Sequence, residues 1–231
     1  MAQETRAALA TRTAALSGSQ TKAPGSAGGY LLGHAAQHHA DIIVLGTRDP
    51  VGLEKLLEGS VAGELAHRVT VPVLTVGPKV FKAPEFRRVL YLTDFSDASA
   101  HAIPYAVSFA EDCGAALDLL HVNDPDTGET PHEAARKLRE FVRDEIRNRG
   151  FGEVFGRMNL QFGPRTERIV EFASDRKIDI IVMGQRHTSP TRARIGAHLA
   201  GGMAQSLIAL APCAVMTVSD STSRCLASSQ I

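Results

Sequence analysis

One stretch of the sequence occurs twice, and this internal repeat limits the folds that the chain can adopt. Residues 40–48 (ADIIVLGTR) match residues 178–186 (IDIIVMGQR) at an offset of 138 residues, and residues 73–76 (VLTV) match residues 215–218 (VMTV) at an offset of 142. A repeat of this length indicates two copies of one structural unit. The second copy has gained four residues in the loop between its two matched segments.

The second copy, residues 85–219, is predicted to be a complete alternating β/α unit. Short apolar runs alternate with helical patterns, and the second of these helices begins after Thr130 and stops at Gly150. Strands that are apolar on both faces and separated by helices form a parallel sheet between two helix layers. The predicted strands are 89–93, 117–122, 155–162, 178–183 and 213–218.

The first copy, residues 1–80, matches only the C-terminal half of this unit. Counting back 138 residues from Val89 leads to a position before Met1, so we expect an N-terminally truncated copy. We predict an alanine-rich helix (3–16), a Gly/Ser/Pro linker (17–29) and a helix–strand–loop–helix–strand segment that ends near Gly77. Residues 220–231 are small and polar and are predicted to be a disordered tail.

The loop after the repeated strand has the residues of a phosphate-binding loop. In the first copy Gly46 closes an apolar strand, and Gly59-Ser60 opens a helical pattern. Glycine lets a ligand approach the backbone, and a helix N-terminus directs free N–H groups at an anion. The same residues are equally explained if Ser60 caps the helix and both glycines are turn residues. Asp49 favours this second interpretation, because a carboxylate repels phosphate.

These features resemble the universal stress protein family. Its nucleotide-binding members carry Gly, two residues, Gly, nine residues and then Gly-Ser or Gly-Thr; here Asp49 stands at the second Gly. Residues 91–96 (YLTDFS) resemble the family's first strand and turn, and residues 119–122 (LLHV) its second strand. The resemblance covers the second copy nearly end to end. It implies a Rossmann-like α/β fold, an open parallel five-stranded sheet in the order 3-2-1-4-5, plus an incomplete N-terminal copy.

The resemblance also implies a site for ATP, with Mg²⁺. Family members that bind ATP use an Asp after the first strand near adenine and ribose, which is Asp94 here, and backbone at the end of the second strand, here Val122. The glycine loop holds the phosphates. The corresponding positions are Gly46, Arg48, Gly59, Ser60 and Val61 in the first copy, and Gly184 and Arg186 in the second. Asp94 is equally explained as a cap for the following helix.

The two copies depart from the family pattern in complementary ways. The first keeps a near-regular loop but lacks the strands that would hold adenine. The second keeps Asp94, but its loop has His187 at the second Gly, thirteen residues in place of nine, and Gly202 in place of the hydroxyl. We therefore expect the phosphates of any bound nucleotide on the Gly46 and Gly59-Ser60 loop, with a weak Kd of roughly 0.1 to 1 mM.

Composition bears on partners and location. The chain has 25 Lys and Arg against 25 Asp and Glu, so nothing favours nucleic acid or an anionic membrane, and it has no run of 18 apolar residues. Three cysteines without a C-x-x-C pair indicate a reducing, cytoplasmic setting. His34 and His38 have a spacing usable for zinc, but no third ligand is evident, and we expect no metal.

Self-association is predicted at the sheet edges. Strands 72–76 and 214–218 are short and apolar, and each is expected at an edge, which is an open template for pairing. We expect the two to lie side by side within one chain, with a homodimer as the other arrangement that these edges allow.

No catalytic motif is evident: the sequence has no G-x-S-x-G elbow, no G-x-x-x-x-G-K-[ST] loop and no G-x-G-x-x-G. It therefore favours a nucleotide-binding module of the stress response that is not an enzyme. One alternative is a stress protein that binds no nucleotide and acts through protein contacts. The other is a weak ATPase or phosphotransferase, for which Asp94 is the one evident general base.

Overall fold

The computed structural model describes residues 27–46, 69–80, 85–186, 202–220 and 222. Within these ranges one sheet has the strand order β1-β2-β7-β6-β3-β4-β5. The strands are β1 (Ile43–Gly46), β2 (Val73–Val76), β3 (Arg88–Leu92), β4 (Ala116–Asn123), β5 (Phe155–Phe162), β6 (Ile180–Gln185) and β7 (Ala214–Ser219). The helices are α1 (Ala27–Gln37), α2 (Asp97–Cys113), α3 (Pro131–Phe141), α4 (Arg165–Asp175) and α5 (Gly202–Leu210), with a 3-10 turn at Pro125–Thr127 and a π-helical turn at Val142–Arg147.

The five strands of the second copy are all parallel to their neighbours within that copy. In chain order within the copy they are arranged third, second, first, fourth, fifth, which confirms the predicted order 3-2-1-4-5. The chain moves outward from β3 to β5 and then returns to β6 on the other side of β3. In such sheets a crevice forms at the carboxyl ends of the strands where the direction of winding changes. Here that point lies between β3 and β6.

The sheet has seven strands, not the five predicted for one copy, because the first copy extends it. Strand β1 pairs with β2 in parallel, and β2 pairs with β7 in antiparallel fashion, with Val73 opposite Thr217. The two fifth strands therefore lie side by side within one chain, as expected. At the end of β2, a Cβ on Gly77 would overlap the carbonyl oxygen of Ile208, so the first copy packs directly against α5.

Local sequence signals explain the helix boundaries. The hydroxyl of Ser96 caps α2 by accepting a hydrogen bond from the Ser99 N–H, and α2 ends at Gly114, whose backbone is left-handed. Helix α2 runs through Pro104 without a break. Thr130 and Glu133 form the predicted capping box at the start of α3.

Apolar side chains on the two faces of the sheet form separate cores. Val89 and Tyr91 of β3 belong to one core, and Leu90 and Leu92 of the same strand belong to the other. This alternation with burial on both faces is typical of a central strand in a doubly wound sheet. A smaller core joins α1 to β1 and β2 through Ile43 and its neighbours. No helix in the described ranges is long and apolar enough to cross a bilayer.

Two predicted segments differ at their boundaries. Helix α1 begins at Ala27, three residues inside the predicted linker. Beyond β7, Asp220 donates its N–H to the carbonyl of Gln185, and the carbonyl of Thr222 accepts a hydrogen bond from His101 Nε2 at 3.0 Å. The described part of the predicted tail is therefore packed against the fold. The predicted helix at 3–16 lies outside the described residues.

Candidate functional site

A cleft opens at the carboxyl ends of β3, β4 and β6, at the point where the winding direction changes. Strand ends supply most of its lining, and α2, α4 and α5 contribute the remainder. Its volume of about 40 Å³ has room for only a few water molecules. Its lining includes polar side chains and residues at strand ends: Thr93, Asp94, His121, Val122, Arg165 and Gly184.

Asp94 leaves β3 in a turn that keeps its carboxylate ionised. Its Oδ1 accepts hydrogen bonds from the N–H of Ser96, at 3.0 Å, and from the Ser96 hydroxyl. Burial is the largest influence on the pKa of Asp94 and raises it, but hydrogen bonds from Ser96 and Ser99 and the charge of Arg186 together hold this pKa below its ordinary value. In the alternative in which Asp94 shares the helix cap with Ser96 and Asp97, the cap of α2 is Ser96, and Asp94 holds that residue in place through these two hydrogen bonds.

Hydroxyl groups lock the turn that carries Asp94. Ser99 Oγ donates to the carbonyl of Ser96 at 2.8 Å and lies 3.1 Å from Thr93 Oγ1, a contact in which either hydroxyl can donate. Thr93 Oγ1 also accepts the N–H of Phe95 at 3.0 Å, and Phe95 has a left-handed backbone (φ 64°). These hydrogen bonds join the turn to the start of α2.

His121 is the cleft residue that sequence reasoning missed. It is 6% exposed, and its ring stacks on Phe95 with centroids 4.0 Å apart. Its Nδ1 lies 2.8 Å from the carbonyl oxygen of Thr93, so Nδ1 carries the proton and the neutral ring presents a lone pair at Nε2. Within the described part of the chain, Nε2 has no hydrogen-bond partner. The sequence feature that could have pointed to it is a histidine inside an otherwise apolar strand.

The pKa of His121 is lowered, chiefly because burial disfavours the charged imidazolium. The hydrogen bond to Thr93 and the charges of Glu129 and Asp94 oppose this effect, whereas the charge of Arg165 adds to it. His121 is therefore neutral at neutral pH. The cleft combines one ionised carboxylate with one neutral imidazole.

Gly184 is needed for packing. A Cβ there would overlap the carbonyl oxygen of Ala98 and lie 2.6 Å from the N of Ser99. Gly184 therefore admits the close approach of the first turn of α2. By contrast, a Cβ on Gly46 would meet no described atom within 4 Å.

Four predicted site residues of the second copy come together in space. Asp94, Val122 and Gly184 line the cleft, and Arg186, which is exposed, acts electrostatically on Asp94. The first-copy positions Arg48, Gly59, Ser60 and Val61 lie outside the described residues, as does His187. Of the first-copy loop, Gly46 alone is placed, at the carboxyl end of β1.

The strands that precede the two predicted phosphate loops end on opposite sides of the sheet. Strands β1 and β2 are parallel to each other, but β2 is antiparallel to β7, which is parallel to β6. The carboxyl end of β1 at Gly46 therefore points away from the end of β6 that carries Gly184. The strands are also three spacings apart, about 14 Å. Gly46 and Asp94 therefore lie at opposite ends of the sheet.

The described residues include no group of three or more His, Cys, Asp or Glu side chains placed to hold a metal ion. The rings of His34 and His38 lie against each other with centroids 4.3 Å apart.

The doubly wound α/β fold resembles solved structures. It is shared with a universal stress protein from Archaeoglobus fulgidus (TM-score 0.60, 22% identity, 82% of this chain and 64% of that chain covered). It is also shared with a functionally unknown protein from Pseudomonas aeruginosa (TM-score 0.60, 16% identity, 84% and 68% covered). These likenesses show the fold. The chain spans 64% of the Archaeoglobus protein's length.

Sequence comparison establishes the family. The model of the universal stress protein family matches residues 2–77 and 85–219. A universal stress protein of Thermus aquaticus, from the 3′ region of a QAH/OAS sulfhydrylase, is 30% identical over 139 residues, which cover 58% of this chain and 98% of that protein. The chain belongs to the universal stress protein family.

Proposed function

We propose that this universal stress protein binds a nucleotide in the cleft beside Asp94 and acts as a binding module of the stress response. The observation that carries the proposal is the polarity of the cleft. Asp94 offers hydrogen-bond acceptors, while Arg165 in its lining and Arg186 nearby offer positive charge. A nucleotide has the complementary pattern, with O–H and N–H donors on its nucleoside and anionic phosphates.

Two features at the start of α4 favour an anion there. Pro164 precedes the helix and provides no side-chain cap, so first-turn N–H groups lack a side-chain acceptor. The Arg165 guanidinium is held loosely, with Nε 3.9 Å from Asp124 Oδ2. An arginine beside a helix N-terminus is suited to phosphate. If ATP binds with Mg²⁺, Asp94 is the cleft carboxylate that could contribute an oxygen to the ion.

The size of the cleft limits affinity. A volume of about 40 Å³ does not enclose a nucleobase, so the ligand lies largely on the surface. We expect a Kd for ATP of roughly 0.1 to 1 mM, or about 4 to 5.5 kcal/mol. Asp94, with its lowered pKa, is a weak base at neutral pH, which supports binding without turnover.

Calorimetric titration of the full chain with ATP, with and without Mg²⁺, tests the proposal. Asp94→Asn removes the charge at constant size and should weaken binding at least tenfold, since hydrogen bonds to a charged group contribute about 1.5 to 3 kcal/mol. Asp175→Asn, at the far, exposed end of α4, is the matched control and should leave Kd unchanged. Equal affinity in wild type and Asp94→Asn would refute this site, and release of phosphate from ATP would refute the absence of turnover.

The alternative, a module that acts through protein contacts alone, is favoured by a different surface. β1 is the outermost described strand on its side, and Val44 at its centre is 56% exposed. An outer strand with an apolar side chain is a template for a partner strand. A wild-type chain without measurable affinity for ATP would favour this alternative.

A further inference from the structure

We propose that His34 and His38 form a binding site for a divalent late transition-metal ion, with Cu²⁺ as the preferred occupant. Each histidine contributes one ring nitrogen, and water fills the remaining positions around the ion. The inference goes beyond nucleotide binding and does not depend on it. It is carried by two imidazole rings that lie against each other, one helical turn apart, at the end of α1.

The separation of the two rings is close to the one that a shared metal ion requires. Their centroids lie 4.3 Å apart, and the ring planes are tilted by 45°. Metal-bound imidazole nitrogens lie about 2.0 to 2.1 Å from the ion, so two imidazoles at right angles around it have centroids roughly 4.5 Å apart. Because the ring torsion of histidine is broad, rotation of each ring can direct one nitrogen at a common ion.

The backbone fixes the spacing of the two residues. The N–H of His38 donates to the carbonyl of His34 at 3.0 Å, so a helical hydrogen bond joins them directly. The helix then closes: His39 has a left-handed backbone (φ 49°), and the N–H of Ala40 donates back to the carbonyl of Ala35 at 2.9 Å. Such a closure satisfies carbonyls at a helix end. Both histidine side chains therefore start from a well-defined helical backbone.

The pair is accessible from solution and lies at the helix end that favours a cation. Helix α1 packs on its strands through Leu31, Leu32 and Ala35, whereas His34 is half-buried and His38 is exposed. The helix macrodipole places partial negative charge at the C-terminal end, which stabilises a nearby positive ion. A metal ion can therefore reach the rings without opening the core.

The ligand set selects the kind of ion. Imidazole suits Cu²⁺, Ni²⁺ and Zn²⁺, and the affinity of a given nitrogen site is highest for Cu²⁺ among the divalent first-row metals. Nitrogen ligands at right angles match the tetragonal shell of Cu²⁺ or Ni²⁺. The tetrahedral shell of Zn²⁺ would place the centroids farther apart, at roughly 5.2 Å. A third protein ligand is not required, because water completes a tetragonal shell.

Titration of the full chain, free of any affinity tag, with Cu²⁺ tests the proposal. We expect calorimetry to show one tight site, and electron paramagnetic resonance at one equivalent of Cu²⁺ to show hyperfine coupling to two imidazole nitrogens. His34→Gln and His38→Asn should each weaken this site at least about tenfold, because the second ligand of a chelate binds at a high effective concentration.

His39→Asn is the matched control. His39 is also exposed and is adjacent to His38, but it lies outside the one-turn spacing from His34, and asparagine tolerates its left-handed backbone. This variant should keep the wild-type affinity for Cu²⁺. Wild-type affinity in His38→Asn, or an equal loss in His39→Asn, would overturn the proposal. So would a wild-type spectrum without coupling to two imidazole nitrogens, a result that does not depend on the folding of any variant.

Discussion

The strands β1 and β6 have nearly the same sequence and very different surroundings. Val44 is 56% exposed, whereas the matching Val182 is fully buried, because β6 lies between β3 and β7 while β1 has β2 as its one described neighbour. The glycine that follows shows the same contrast: α2 occupies the space over Gly184, and the space over Gly46 is open. A repeated motif therefore shows common ancestry of the two strands more reliably than a common role.

The antiparallel join between the copies explains why their sites diverge. β2 and β7 pair with each other, so neither is left as an open edge. Because the pairing is antiparallel, the carboxyl ends of the strands in the two copies point in opposite directions. A ligand site at either end would have to be built from the elements of that end. The proposed site of the second copy lies beside Asp94, whereas of the first-copy loop only Gly46 is described.

The largest expected effect contrasts the two glycines. Gly184→Ala forces a Cβ into the backbone of Ala98, so we expect the free energy of unfolding to fall by about 3 kcal/mol. Gly46→Ala meets no described atom and should change it by less than about 0.5 kcal/mol. Urea denaturation of both variants measures the difference. Similar losses in the two would show that the space around Gly46 is also filled.

The next contrast concerns the two valines. Val182→Ala removes two methyl groups from a closed core and should cost about 2 kcal/mol of unfolding free energy. Val44→Ala removes them from a surface and should cost less than about 0.5 kcal/mol. Thermal melts of the pair test this. A large loss in Val44→Ala would mean that another chain or segment covers β1 in solution.

The alternation of strands and helices could be predicted from the sequence because apolar runs and helix signals alternate regularly, as at Thr130 and Gly150. The strand order was implied by the resemblance to universal stress proteins, and the pairing of β2 with β7 by that resemblance together with two short apolar edges. The role of Gly184 could not be predicted, since it depends on α2, which lies more than 70 residues earlier in the chain. The tautomer of His121 was equally hidden, because a carbonyl from another strand decides it. Local patterns predicted elements, whereas contacts between distant elements determined the site.

A smaller effect concerns pH. The pKa of His121 is lowered by burial below its ordinary value of 6.5, with Glu129 and Asp94 opposing and Arg165 adding to the shift. As pH falls below 6.5 the unfolded chain takes up this proton before the folded chain does, so stability should decrease from there down to the folded pKa.

Urea midpoints between pH 7.5 and 5 test this slope. His121→Asn should have a flatter dependence than wild type. The control is His38→Asn, which replaces an exposed histidine in the turn after α1 and should keep the wild-type slope. A slope that is unchanged in His121→Asn would show that other groups cause the acid sensitivity.

The smallest expected effect distinguishes the two loops as phosphate sites. Sequence alone placed the phosphates on Gly46 and Gly59-Ser60, but the antiparallel join puts Gly46 at the end of the sheet opposite Asp94. Gly59→Val would block backbone approach in the first-copy loop, yet we expect it to change the Kd for ATP by less than about twofold, under 0.5 kcal/mol. Asp49→Gly, which removes a negative charge from that loop, should also leave the Kd for ATP nearly unchanged. Calorimetric titration of both variants and of Asp94→Asn with ATP tests this expectation. The opposite result would be that Gly59→Val abolishes binding, Asp49→Gly strengthens it and Asp94→Asn binds ATP normally. In that case the phosphates lie on the first-copy loop, and the cleft beside Asp94 serves another purpose.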